Sequence, residues 1–138
     1  MSTYLRPMVY ALAIAVSTLP LFTLPMSTTV WAAAANPVFG KALYTECEGC
    51  HAVARNKVGP KLCGLIGRKA ASVTGYVYSE AMSASGLVWN DKTLDEYLAS
   101  PLDKVPESKM EYAGFPDPAD RFELIEYLKV ITDPSKCK

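Results

Sequence analysis

The chain has 138 residues, of which 50% are hydrophobic and 20% charged, and its 14 basic and 14 acidic residues give a formal net charge of zero. Arg6 is the only charged residue before position 36, so residues 36–138 carry one more acidic than basic residue. This balance argues against nucleic acid as a partner, which requires a basic face. A segment of this length forms one small domain with a limited core of its own.

Residues 1–35 are predicted to be a secretory signal peptide. An apolar run follows Arg6, and small residues at 32–35 offer several cleavage points. The alternative is an uncleaved membrane anchor, but Pro20 and Pro25 interrupt the apolar run and make it a poor spanning helix. We therefore expect cleavage at 32–35, a periplasmic location and no stable membrane insertion afterwards.

The first helix of the remaining chain is predicted to begin at Asn36-Pro37, a side-chain cap followed by proline at the first helical position. Towards its end it carries Cys47-Glu48-Gly49-Cys50-His51, the C-x-x-C-H pattern of c-type haem attachment. Two cysteines three positions apart lie on one face of a helical turn, so both sulfurs can reach one porphyrin edge. Cys47 and Cys50 then form thioethers, and His51 binds the iron.

Two other interpretations of this motif are a redox dithiol and half of a zinc site. A thioredoxin-like dithiol needs a βαβ context, which the sequence around Cys47 lacks. A four-cysteine zinc site needs a second close pair, but Cys63 and Cys137 are far apart, and His51 is the only histidine. The motif therefore favours one covalently bound haem c.

Residues 58–86 contain five glycines and no strand alternation, which predicts a wrapping loop with at most a short helix at 78–84. So long an irregular stretch is unusual in a small domain. It is reasonable where the loop surrounds a prosthetic group.

Two further helices are predicted after this loop. The first spans about 92–99, with an apolar side and Pro101 just beyond its end. The second begins at Asp117-Pro118, continues with apolar residues at helical spacing and ends before Pro134.

Cys63 and Cys137 remain after haem attachment. In an oxidising compartment two spare cysteines usually pair, so we expect a disulfide that tethers the C-terminal tail. The alternative is two free thiols.

The second axial ligand of the iron cannot be histidine, because His51 is already used. Methionine, lysine, tyrosine, water or no ligand remain. Met110 lies between two predicted helices, where a loop could present its sulfur, whereas the other interpretation is that it fills core space.

The chain closely resembles class I cytochrome c from about residue 38 to 130, and is most like the mitochondrial cytochrome c and bacterial cytochrome c2 branch. The similar blocks follow the family order with near-family spacing: Val58-Gly59-Pro60-Lys61-Leu62, Gly64-Leu65-Ile66-Gly67-Arg68-Lys69, Gly75-Tyr76-Val77-Tyr78, Gly86-Leu87-Val88-Trp89, Thr93-Leu94-Asp95-Glu96-Tyr97-Leu98, Pro106-Glu107-Ser108-Lys109-Met110, Ala113-Gly114-Phe115 and Leu124-Ile125-Glu126-Tyr127-Leu128-Lys129. The resemblance implies an all-α cytochrome c fold over residues 36–138. Three main helices, short helices and long loops would wrap around one covalent haem.

The resemblance also implies roles for individual residues. Met110 becomes the distal iron ligand, and the Pro60 carbonyl accepts a hydrogen bond from the second ring nitrogen of His51. Arg68, Tyr78 and Trp89 match the family positions that hold the haem propionates. Tyr97 and Ser108 match the family's polar residues beside the methionine sulfur. Core packing is the simpler role for Trp89 and Tyr97, and both roles can hold together.

The chain departs from the family pattern at several positions. Met82 stands where relatives often have asparagine, and a glycine expected in the first helix is displaced to Gly40, which leaves the helix packing there open. The residues that replace lysines around the exposed haem edge are Glu46, Leu102 and Asp103. We therefore expect a partner that is not selected by strong positive charge.

These observations predict a monomeric, non-enzymatic, soluble one-electron carrier between membrane or periplasmic redox proteins. An alternative is a dedicated electron acceptor of one periplasmic dehydrogenase, such as an alcohol- or methanol-oxidising quinoprotein. A haem peroxidase or ligand sensor is disfavoured, because it needs an open iron position and the chain has no second histidine as acid or base.

Overall fold

A computed structural model describes residues 34–137. Its elements are α1 (Pro37–Glu48), α2 (Glu80–Ala84), α3 (Asp91–Ala99), α4 (Pro101–Lys104), α5 (Pro118–Ile131) and a 3-10 turn (Pro134–Lys136). Across this described range, β structure is limited to one isolated antiparallel bridge between Lys69 and Val88. The all-α prediction is confirmed. The predicted signal peptide falls almost entirely outside the described residues.

Helices α1 and α5 begin where the sequence predicted, and α3 begins one residue before the predicted 92; all three have N-terminal caps that are encoded locally. The Asn36 side chain accepts hydrogen bonds from the backbone N–H groups of Val38 and Phe39, and Asp117 caps α5 in the same way. Asn90 and Thr93 form a reciprocal capping box at the start of α3. None of the helices within residues 34–137 is long and apolar enough to cross a membrane.

Helices α1 and α5 cross at Gly40. A Cβ atom at this position would lie 2.5 Å from the carbonyl oxygen of Glu123 and 2.7 Å from Cβ of Tyr127. One turn later, the ring of Tyr44 packs against Tyr127 with centroids 5.6 Å apart. The displaced glycine is therefore the residue that lets the two helices approach.

Helix α3 is joined to α5 by a buried arginine. Arg121 donates to Asp95 at 2.6 Å and to the carbonyl oxygens of Phe115 and Pro116 at 2.9 Å each. A buried guanidinium is tolerated when its donors are satisfied in this way. The same side chain fixes the loop that leads into α5.

The connections between the helices are largely irregular, as predicted for residues 58–86. The short helix expected at 78–84 is α2, and Ser79 caps it. Pro101 does more than follow the end of α3, because it begins the short helix α4. The residue before a proline is biased towards extended backbone, and Ser100 has φ −159°, so the chain leaves α3 and restarts with proline at the first helical position.

The C-terminal tail is attached to the long loop. Cys63 and Cys137 form a disulfide with their Cα atoms 5.7 Å apart, in agreement with the prediction. Next to it, the backbone N–H of Gly64 donates to the carbonyl oxygen of Thr132 at 2.7 Å. Two adjacent links therefore connect the loop to the end of α5.

Candidate haem site

A cavity of about 380 Å³ lies between the end of α1, the loops 51–79 and 105–117, and the helices α3 and α5. It is lined by every residue that the sequence analysis selected: Cys47, Cys50, His51, Pro60, Arg68, Tyr78, Trp89, Tyr97, Ser108 and Met110. The fold thus brings residues up to 63 positions apart in the sequence to the wall of one cavity.

Cys47 lies in the last turn of α1 and Cys50 directly follows the C-cap residue Gly49, and both line the cavity. Burial, reinforced by the charges of Glu46 and Glu48, raises the pKa of Cys47 to about 11. Such surroundings disfavour the thiolate, which is the form that acts as a redox nucleophile. The redox-dithiol interpretation therefore loses support, whereas the position of both cysteines on the cavity wall fits attachment to a porphyrin edge.

The imidazole of His51 is oriented by a backbone contact and is neutral. Its Nδ1 lies 2.8 Å from the carbonyl oxygen of Pro60. Because a carbonyl can only accept, Nδ1 carries the proton and Nε2 is left with a free lone pair. Burial is the main cause that lowers the pKa of His51, and the charge of Lys57 acts in the same direction, while the Pro60 bond opposes both. The imidazole is therefore in the form that binds iron.

Gly59 is a site residue that the sequence analysis did not select. A Cβ atom there would lie 2.4 Å from Cε1 of His51 and 2.7 Å from each ring nitrogen, closer than a side-chain carbon can approach. Only glycine lets the loop pass this close behind the imidazole. The Gly59-Pro60 dipeptide marks a turn in the sequence, but it does not reveal which side chain the turn touches.

Arg68 brings an uncompensated positive charge to the cavity. Its guanidinium donates to the carbonyl oxygens of Cys63 at 2.5 Å and Lys61 at 3.2 Å. None of the ion pairs formed by the described residues includes it. Burial lowers the pKa of Arg68, which means that its charge is partly desolvated. A desolvated cation without a carboxylate partner suits an anionic ligand group, and a haem propionate has that chemistry.

Met110 lies in a segment that is fixed by polar contacts. The hydroxyl groups of Tyr97 and Ser108 are 3.2 Å apart, and the backbone N–H of Met110 donates to the Ser108 hydroxyl at 3.3 Å. The ring of Tyr97 also packs on Trp89 with centroids 5.1 Å apart, so core packing and a site role coincide. The other methionine on the cavity wall, Met82, is buried in α2.

Tyr112 is the second site residue that sequence reasoning missed. It lines the cavity, and its hydroxyl donates to Glu46 Oε2 at 2.5 Å, between positions 66 residues apart. Burial is the main cause that raises the pKa of Tyr112, and the bond to Glu46 adds to it. No periodicity or local motif connects these positions, so only a folded structure could reveal the contact.

The residues that replace family lysines lie at the surface. Glu46, Leu102 and Asp103 are all exposed, and the carboxylate of Asp103 accepts a hydrogen bond from Ser100 at 2.7 Å. The three positions therefore present one apolar and two acidic side chains where a basic ring was the family expectation.

The known proteins that this chain is most like in sequence and structure include several cytochromes c and c2. Cytochrome c2 iso-2 of Magnetospirillum molischianum is 43% identical over 90 residues, which cover 64% of this chain and 93% of the relative. Cytochrome c of Gibberella zeae is 48% identical over 88 residues, covering 62% and 83%. The solved structure of cytochrome cH from Methylobacterium extorquens superimposes with a TM-score of 0.67 at 38% identity, covering 69% of this chain and 98% of that one. No protein-family model matches the chain.

Proposed function

The chain belongs to the class I c-type cytochromes of the cytochrome c and cytochrome c2 branch, and from that premise we propose that it is a soluble periplasmic one-electron carrier with His51 and Met110 as axial ligands. It is a single-haem protein whose haem c is covalently bound. The observation that carries the proposal is that the only histidine and Met110 line the same cavity as the two attachment cysteines.

When bound, haem c supplies an iron that accepts and releases one electron. Cys47 and Cys50 hold the porphyrin edge, and His51 offers Nε2 because Nδ1 is engaged by Pro60. The thioether of Met110 is a soft donor that raises the reduction potential. Because His51 and Met110 would both bind the iron, it would offer no open position to a substrate.

The propionate side of the proposal depends on Arg68, Tyr78 and Trp89. The guanidinium of Arg68 supplies positive charge in a partly desolvated place, where unpaired propionate charge would be costly. Tyr78 and Trp89 complete that part of the wall. Tyr97 and Ser108 fix the segment that carries Met110.

We assign residues 1–35 as the signal peptide and residues 36–138 as the working domain, which acts as a monomer. Its partners are membrane or periplasmic redox proteins that donate and accept electrons, and their encounters bury little area and are weak. Because Glu46 and Asp103 replace basic residues, these encounters depend less on ionic strength than docking to a lysine ring would. The same observation favours a second candidate of the same class, a dedicated acceptor of one periplasmic dehydrogenase, which would need no broad electrostatic attraction.

Voltammetry of the purified holoprotein, combined with carbon monoxide binding, tests this function. We expect one reversible one-electron wave, no binding of carbon monoxide to the reduced protein and no added current with peroxide. A Met110→Ala variant should have a lower potential and bind carbon monoxide, whereas Met82→Leu, the matched methionine control, should behave as the native protein. A catalytic peroxide current in the native protein would contradict the carrier function.

A further inference from the structure

The segment that carries Met110 needs to be held in place. Glu107, three residues before Met110, adopts φ +64°, a left-handed conformation that is unfavourable for a residue with a side chain. On one side the segment is fixed to α3 by the contact between Tyr97 and Ser108. Lys109 also donates to the carbonyl oxygen of Val77 at 2.9 Å. Neither contact reaches α1, the helix that carries the haem-attachment cysteine.

Tyr112 is rigidly connected to Met110. Its backbone N–H donates to the carbonyl oxygen of Met110 at 2.9 Å, which closes a tight turn between the two residues. Its ring packs against Phe115 with centroids 5.4 Å apart. Phe115 is itself buried and donates its N–H to the carbonyl oxygen of Leu98 at the end of α3. A displacement of Met110 away from the cavity therefore has to move the ring of Tyr112.

Glu46 lies on the haem-attachment side of the cavity, opposite the segment that carries Met110. It lies in the last turn of α1, directly before Cys47, and lines the cavity. The bond from the Tyr112 hydroxyl to Glu46 is, among the described residues, the only hydrogen bond between α1 and residues 105–117. It consequently spans the two parts of the chain that we assign to haem attachment and to distal ligation.

We propose that the hydrogen bond between Tyr112 and Glu46 is a latch that closes the Met110 segment over the haem edge, which makes both side chains positioning residues for the distal ligand. This inference rests on the proposed ligation by Met110. Glu46 accepts the hydrogen bond from the Tyr112 hydroxyl, which a lysine at this position could not do because its ammonium group has no acceptor. Opening the latch allows Met110 to leave the iron more often, so an external ligand enters faster.

The test is the rate at which imidazole displaces the native distal ligand from the oxidised holoprotein. A hydrogen bond to a charged acceptor at a half-exposed place is strong enough for about a tenfold effect. We therefore expect Tyr112→Phe and Glu46→Ala each to raise the rate about tenfold. Glu46→Gln keeps an acceptor oxygen and should restore most of the native rate. The double variant should be no faster than either single variant, because both remove the same interaction.

Two control variants separate the latch from general effects. Tyr127→Phe removes a hydroxyl at the crossing of α1 and α5, away from the cavity, and Glu48→Ala removes the same charge two residues from Glu46. Both should keep the native rate. Native rates in Tyr112→Phe and Glu46→Ala, or additive effects in the double variant, would overturn the latch.

The native protein's long-wavelength absorption band of methionine bound to iron(III) distinguishes the two levels of failure. If the band is present and the latch variants exchange ligand at the native rate, only the latch is wrong. If the band is absent, ligation by Met110 is wrong, and the latch is wrong with it.

Discussion

The long helices and the cavity loops of this protein are stabilised by different means. Helix α5 contacts α1 by close approach at Gly40 and contacts α3 through the buried side chain of Arg121. The loops 51–79 and 105–117 contain no helix, and they line the cavity with apolar residues such as Leu62 and Leu65. The difference indicates that the helices form a frame from within the chain, while the loops need the haem as their core.

Removal of the haem should have the largest effect of all. The haem would cover the apolar wall of the 380 Å³ cavity, and each Å² of apolar surface that its removal exposes costs about 25 cal/mol, against an entire stability of about 5–15 kcal/mol for a small domain. The Cys47→Ser/Cys50→Ser chain without haem should therefore have no cooperative unfolding transition by near-ultraviolet circular dichroism. A sharp transition in that chain would show that the loops have a core of their own.

Removal of the disulfide should have the second-largest effect on stability, because it links Cys63 in the loop 51–79 to Cys137 after the end of α5. The Cys63→Ser/Cys137→Ser holoprotein should lose about 2–4 kcal/mol of unfolding free energy, since the bond closes a long stretch of chain. Its haem spectrum should be unchanged. Denaturant titration measures the loss, and two free thiols in the non-reduced native protein by mass spectrometry would contradict the pairing.

A substitution confined to the frame should have a smaller effect. In Gly40→Ala the new Cβ has to push α1 from α5, at a cost of about 1–3 kcal/mol for overpacking. Gly49→Ala is the control, because Gly49 has helical dihedral angles and no described residue apart from its chain neighbours comes within 4 Å of its Cβ position. Thermal unfolding of the two variants compares them. Equal stabilities would mean that the crossing is not tightly packed.

The smallest effect concerns an exposed ion pair between α3 and α4. The hydrogen bond and charge of Lys104 lower the pKa of Glu96 below its ordinary 4.5. The unfolded chain therefore takes up the proton at higher pH than the folded one, so this pair stabilises the protein above pH 4.5 and ceases to do so as the pH falls through the folded pKa. Glu96→Gln should flatten the acid side of the stability profile slightly. Glu80→Gln, a change at an exposed glutamate outside the described ion pairs, should leave the profile unaltered.

The frame could be predicted from residues alone because its signals are local. Asn36 and Asp117 cap the helices that follow them, and the apolar spacing after Pro118 gives the buried side of α5. The covalent attachment residues were equally readable from the C-x-x-C-H pattern. The helix restart at Pro101 was missed, since a proline after a helix looks the same whether or not another helix follows.

The cavity loops could be assigned only through resemblance to a family. Pro60, Arg68 and Ser108 have no pattern that points to a haem, because their contacts join distant parts of the chain. Gly59 and Tyr112 were missed for the same reason: one is defined by a ring that it nearly touches, the other by a carboxylate 66 residues away. Loop sites depend on tertiary contacts that local sequence does not encode.

The most direct test of the account is near-infrared magnetic circular dichroism of the oxidised holoprotein. Ligation by His51 and Met110 predicts the methionine–iron(III) signal in the native protein and in Met82→Leu, and its loss in Met110→Ala. Survival of the signal in Met110→Ala, or its absence from the native protein, would contradict the axial pair and with it the closed iron on which the carrier function depends.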